Sequence, residues 1–142
     1  KGIPSFSPEI FKEVINKDAM KTKQLEKGLK QLMEEGVAQY FTYEMGNRKV
    51  VGTVGQLQFE VIQFRLKNEY NASVEFAPMN LYKACWISSK DKKQLDEFIR
   101  SKGRHIAHDK DGKVVFMAES RAWLQMVQDN YPEIEFHFTS EF

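Results

Sequence analysis

What most constrains this chain is the order in which two hydrophobic periodicities alternate along it. Short β-branched or aromatic runs that read as strands are interleaved with apolar stripes at helical spacing. The order strand–helix–strand–strand–helix–strand occurs twice within 142 residues, as a repeat of element order and not of sequence. Such a unit packs its two helices on one face of an antiparallel sheet. The expected fold class is therefore α+β, with two tandem ferredoxin-like (βαββαβ) units, antiparallel sheets and helices on one face.

In the first half, Ser7 to Asn16 reads as an extended segment opened by Pro8. A helix follows from about Met20 to Glu35, with Leu25, Leu29 and Leu32 inward. Gly28 interrupts it at a cost of roughly 1 kcal/mol relative to Ala, which marks a close packing contact, and Gly36 supplies a left-handed stop. Val37 to Met45 and Lys49 to Val54 read as strands around a Gly46-Asn47 turn. Gly55 opens a helix to about Tyr70 with the stripe Leu57, Val61, Ile62 and Leu66; Asn71 ends it, and a strand runs from Ala72 to Ala77.

The second half repeats the pattern. Leu81 to Ile87 is a strand, and Ser89 caps a helix from Lys90 to Lys102 that Gly103 stops. Arg104 to His108 and Lys113 to Ala118 form a hairpin around Asp111-Gly112. Ser120 caps a helix bearing Trp123, Leu124 and Val127, and Ile134, Phe136 and Phe138 alternate inward on a last strand. A division near Met79 and Asn80 gives units 1–79 and 80–142. The connection between them is two or three residues, which implies rigid packing.

No run approaches the twenty or so apolar residues needed to span a bilayer. Lys1-Gly2-Ile3-Pro4 has no apolar core behind its charge and so is not read as a secretory signal. Cys85 is the one cysteine, which favours a reducing compartment; the expectation is a cytoplasmic location. The missing initiator Met suggests that Lys1 is a cut within a longer protein. The formal net charge of +1 predicts no strong nucleic-acid field but leaves room for local basic patches.

Several chemical constellations fail on spacing. Gly52-Thr53-Val54-Gly55 ends a strand and opens a helix, but a P-loop ends in Gly-Lys-Ser/Thr and this runs into Gln56-Leu57. A tight structural turn is the better reading. His105 and His108, three apart on a strand, point to opposite faces and do not converge on a metal; His137 and Cys85 lie far away in sequence. Cys85, mid-strand beside Trp86, reads as a buried structural thiol. The adjacent acids Glu34-Glu35 and Asp96-Glu97 diverge by about 100 degrees on a helix and make no catalytic dyad. Asp109-Lys110-Asp111-Gly112 is a hairpin turn, since its glycine falls too early for a calcium loop. An acylphosphatase would need an arginine-bearing, Gly-rich loop after the first strand, where this chain has Lys17-Asp18-Ala19-Met20. RNA-recognition modules share the element order, but the equivalent central strands here, Lys49 to Val54 and Lys113 to Met117, carry one aromatic between them. Neither a catalytic nor a metal site is therefore expected. The phosphate-contact candidates are Arg65 and Lys67 on the second helix, with Arg100, Lys102 and Arg104 around the end of the third.

The segment from Lys49 to Asn71, a strand, then Gly52-Thr53-Val54-Gly55-Gln56-Leu57, then an amphipathic helix ending Glu69-Tyr70-Asn71, resembles the third domain of translational GTPases. Within that superfamily Gly55-Gln56-Leu57-Gln58-Phe59, the opening from Lys1 to Phe11 and the tail Tyr131-Pro132-Glu133-Ile134-Glu135-Phe136 are most similar to the peptide chain release factor 3 family. The resemblance implies a ribosome-binding C-terminal region, with Arg65, Lys67, Arg100 and Arg104 as candidate contacts to small-subunit RNA and protein. It also implies a missing N-terminal domain that holds GTP or GDP and Mg, a β-barrel domain beside it, and an indirect link to class I release factors. No cofactor is expected in this chain itself. The remaining alternatives are the equivalent domain of a translocation GTPase, or a stand-alone module that senses a small molecule.

Overall fold

The computed structural model describes residues 5–141. The Lys1-Gly2-Ile3-Pro4 opening, expected above to be no signal, lies outside them. The described elements are β1 (Ile10–Asn16), α1 (Thr22–Glu34), β2 (Gln39–Tyr43), β3 (Lys49–Thr53), α2 (Leu57–Tyr70), β4 (Val74–Pro78), β5 (Lys83–Ser88), α3 (Lys92–Ser101), β6 (Ile106–His108), β7 (Val114–Ala118), α4 (Arg121–Asn130) and β8 (Glu135–His137). Single 3-10 turns at Ala19–Lys21 and Gly103–His105 precede α1 and follow α3.

All eight strands form one antiparallel sheet in the order β4-β1-β3-β2-β6-β7-β5-β8. From either edge inward each set of four runs fourth, first, third, second, which is consistent with two ferredoxin-like units. The sheets expected for two such units are joined by a short seam between β2 and β6, where Thr42 faces His108 and Tyr43 faces Ala107.

Strand alternation sends successive side chains to opposite faces, and the buried residues sort accordingly. Val51 and Val74 meet Leu25, Leu29 and Leu32 of α1 and Phe59, Ile62 and Leu66 of α2. Cys85, Ile87 and Phe116 meet Phe98 of α3 and Leu124 and Val127 of α4. A third cluster holds the strand residues that point away from the helices: Phe11, Phe41, Tyr43 and Val50 from the first half, and Ala84, Trp86, Val115 and Met117 from the second. Two strands separate β2 from β5, which in a flat sheet would put them about 14 Å apart. The Phe41 and Trp86 ring centroids are 6.2 Å apart. The sheet therefore curls until its two helix-free faces press together. Backbone pairing of Phe6 with Thr139 brings the first and last described segments side by side.

The glycine reading holds at two positions. A Cβ on Gly28 would lie 2.7 Å from Leu66 Cδ2 and 2.9 Å from the Tyr70 ring, so α1 crosses α2 there with no room for a side chain. Gly36 adopts φ +82° and ends α1. Asn71, at φ +55°, ends α2 as expected.

Other expectations shift. In α2 the buried residues are Phe59, Ile62 and Leu66, whereas Leu57 and Val61 face solvent, because the helix has apolar residues on both sides and periodicity alone did not choose the inner one. The cap of α3 is Asp91, whose carboxylate accepts from the Lys93 and Gln94 amides. Ser89 instead accepts from the Asp91 amide and donates to the Glu133 carbonyl. Gly103 does not adopt a left-handed backbone; α3 runs into the 3-10 turn, and β6 starts only at Ile106. Phe138 lies beyond β8 and is partly exposed.

Candidate functional site

The turn between β3 and α2 is closed by its own side chains. Gln58 Oε1 accepts from the Val54 and Gly55 amides at 3.1 and 2.9 Å, and Gln58 Nε2 donates to the Val37 carbonyl at 2.7 Å. The amides that would cradle a phosphate are thus occupied. At Gly52 a Cβ would come within 2.4 Å of Pro8 Cγ, so close backbone packing accounts for the glycine.

The histidines are dispersed. His105, on the 3-10 turn and not on β6, lies 3.3 Å from Glu119 and packs against the Trp123 ring at 4.5 Å. His108 lies 3.6 Å from Glu44, and His137 Nε2 is 2.8 Å from Ser88 Oγ. No group of three or more metal-ligating side chains converges among the described residues. Cys85 is fully buried, and burial pushes its thiol up to about 12, which keeps it protonated at neutral pH.

The four nominated basic residues divide into two places. Arg65 on α2 is clamped between carboxylates: Nε and Nη2 donate to Glu69 at 2.8 and 2.9 Å, and Nη1 donates to Glu35 at 2.8 Å. These hydrogen bonds hold Glu35 and Glu69 below the usual carboxylate range. One guanidinium between two carboxylates leaves no positive excess for a phosphate. Lys67 is exposed, 3.5 Å from Ser73 Oγ.

Arg100 and Arg104 come together in the second half of the chain. With Lys102, Met45, His105 and Trp123 they line a cleft of about 350 Å³ where α3 passes into β6. Arg100 pairs with Glu97 at 2.7 Å, and Lys102 lies over the Tyr131 ring at 5.2 Å. Arg104 is exposed and makes no ion pair among the described residues. It also reaches a larger cleft, about 650 Å³, between the two halves, walled by Tyr43 and Arg48 on one side and His105 and Trp123 on the other. There Arg48 is spent on Glu13 through two hydrogen bonds of 2.9 and 3.1 Å and lies over the Tyr43 ring. Arg104 is the cation common to both clefts, and in the smaller one Lys102 also makes no ion pair among the described residues.

Sequence reasoning missed a second basic row. Lys23, Lys27 and Lys30 recur at helical spacing on the exposed side of α1 without an ion pair among the described residues. The signal was the complement of the buried stripe Leu25, Leu29 and Leu32. It also missed Met45 and Trp123 as walls of the basic cleft, since helical periodicity pointed Trp123 inward.

The family model described as class II release factor RF3, C-terminal domain, matches residues 1–128. The chain belongs to this family. It is thus the C-terminal part of a translation-termination factor, a fragment of a translational GTPase. Membership decides between the two GTPase alternatives in favour of the release-factor branch. No helix among the described residues is long and apolar enough to cross a membrane.

Proposed function

We propose that this RF3 C-terminal domain is the ribosome-facing region through which its parent protein promotes GTP-dependent dissociation of class I release factors in the cytoplasm. In this reading its partners are small-subunit RNA and protein, together with the parent's own GTPase and β-barrel domains. In the same reading GTP or GDP and Mg are held by the parent's upstream domain; the turn between β3 and α2 here has its Val54 and Gly55 amides taken by Gln58. The observation that carries the residue assignment is the exposed, unpaired Arg104 beside Arg100 and Lys102 in a cleft with a Trp123 wall. Guanidinium groups pair with phosphate oxygens in a forked geometry, and an aromatic wall accepts an unstacked base.

The test uses the full-length parent carrying Arg100→Glu with Arg104→Glu. Ribosome affinity is expected to fall at least about tenfold, and the slope of log affinity against log salt to shrink by about 1 to 2, the lower end if Arg100 stays on Glu97. Binding of GTP should not change. The comparator Arg65→Gln should stay within about twofold of wild type, since Arg65 is already neutralised. Unchanged affinity and slope for the double variant would overturn the assignment.

A further inference from the structure

The seam between the two halves covers only part of β2. In the β2–β3 ladder the Tyr43 amide donates to the Arg48 carbonyl at 2.8 Å, Phe41 faces Val50 and Gln39 faces Gly52. The odd-numbered residues of β2 therefore spend their backbone groups on β3. The even-numbered ones turn theirs toward β6: the Glu44 amide donates to the Ile106 carbonyl at 2.9 Å, and Thr42 faces His108. Tyr40 is next in that row, and no strand residue meets it on this side, because β6 has ended. Beyond His108 the chain folds into its own turn, with the Asp109 amide on the Lys113 carbonyl and the Gly112 amide on the Asp109 carbonyl, each at 3.0 Å. The Tyr40 N–H and C=O thus open on a notch beside an interior strand. An unpaired strand edge is a template for another extended chain.

The notch leads into a cleft of about 610 Å³ between the end of α1, the start of β2 and the tip of the β6–β7 hairpin. Phe6, Met33 and Val37 give it apolar walls. Its charged groups are Glu34, Glu35, Asp109 and Asp111 against Lys110. Lys110 is paired with Asp111, and Glu35 with Arg65. The Asp109 carboxylate accepts from neutral N–H groups, and the exposed Glu34 makes no ion pair among the described residues, so a negative excess remains. Lys30 and Lys49 lie with Glu26 in an adjoining recess. The larger cleft repels a nucleic-acid backbone and favours a polypeptide with basic side chains. We propose that the notch takes an extended, lysine-bearing segment of a partner protein, which adds to β2 as a short strand hydrogen-bonded at Tyr40. Main-chain bonds to Tyr40 supply the grip, and the alternating side chains of the added strand supply apolar and basic contacts.

Amide hydrogen exchange at Tyr40, read by nitrogen-15 NMR on the 142-residue chain without ribosomes, tests this separately from the Arg104 reading. The probe is the peptide acetyl-Lys-Val-Lys-Val-Lys-Val-amide at about 2 mM, within reach of a weak single-strand contact. It should slow exchange at Tyr40 at least about fivefold and leave the Phe41 amide, already bonded to β3, unmoved. The same peptide with glutamate for lysine, or with every amide N-methylated, should give less than a fifth of that protection. Glu34→Lys, at an exposed position, should cut the protection by the lysine peptide at least about threefold without moving the melting temperature. Unchanged exchange at Tyr40, or equal protection by the glutamate or the N-methylated peptide, would overturn the proposal. So would protection by hexauridylate, which would make the notch a nucleic-acid site, or protection that grows with chain concentration alone, which would mean that copies pair.

Discussion

The carboxylate of Asp109 connects the β6–β7 hairpin to the interior. Its Oδ2 accepts from Trp86 Nε1 at 2.9 Å, and its Oδ1 accepts from the Asp111 and Lys113 amides at 2.9 Å each. Trp86 is fully buried between the two halves. In Asp109→Ala the indole N–H loses its partner, a cost of about 1–3 kcal/mol, while the two turn amides are near enough to solvent to recover water. With the loss of a charge-assisted bond, the expected destabilisation is about 2–4 kcal/mol. Asp109→Asn keeps an oxygen for the turn amides but turns an NH₂ group toward the indole N–H, so it should fall between Ala and wild type. Asp111→Ala, whose carboxylate pairs with the exposed Lys110, should cost under about 0.5 kcal/mol. The assay is urea unfolding followed by far-ultraviolet circular dichroism, which avoids the fluorescence of the perturbed tryptophan. Repeating it in a Trp86→Phe background closes a double-mutant cycle, with an expected coupling of about 1–2 kcal/mol. Asp109→Ala within about 0.5 kcal/mol of wild type, or zero coupling, would refute the reasoning.

Three further outcomes are expected. Gly28→Ala should destabilise by about 1 kcal/mol, against the roughly 1 kcal/mol gain that helix propensity alone gives, because the new methyl meets Leu66 and Tyr70; a stabilised variant in a urea melt would contradict the close crossing. Cys85 should resist a thiol reagent at pH 8 in the folded chain and react only as fast as the chain opens, which a labelling time course across urea concentrations reads directly. The hydrogen bonds from Arg48 hold Glu13 below its ordinary value near 4.5, so their contribution is present above that value and lost as pH falls through the lower folded one; the stability gap between wild type and Arg48→Met should therefore narrow on acidification below about pH 4.5, and a constant gap would count against the pair.

Element order was legible in the sequence because each strand and helix announces itself locally, through alternation, a glycine stop or an Asp-Gly turn. The left-handed stops at Gly36 and Asn71 and the close packing at Gly28 needed nothing from the rest of the chain. What sequence left open was every choice made by a neighbour. The inner side of α2 is fixed by where β1, β3 and β4 lie, and the residues at 57 and 61 are as apolar as the one at 59. Ser89 and Asp91 are both competent caps, and the Glu133 carbonyl draws Ser89 away. Of the nominated cations, Arg65 was indistinguishable from Arg104 along the chain, since Glu35, one of its two partners, lies thirty residues away. The joining of eight strands in one sheet could not be read at all, because it depends on a two-pair seam between strands far apart in sequence.

The apolar layer between the helix-free faces has a consequence for the synthesis of the protein. Phe11, Phe41 and Val50 are translated before β4 ends, but Trp86, Val115 and Met117, which cover them, are not. At about 5–20 residues per second, the roughly sixty residues from β4 to the end of β8 take on the order of 3–12 seconds to make. During that interval the residues of the first half that line this layer, Phe11, Phe41 and Val50, have no covering side chains from the second half.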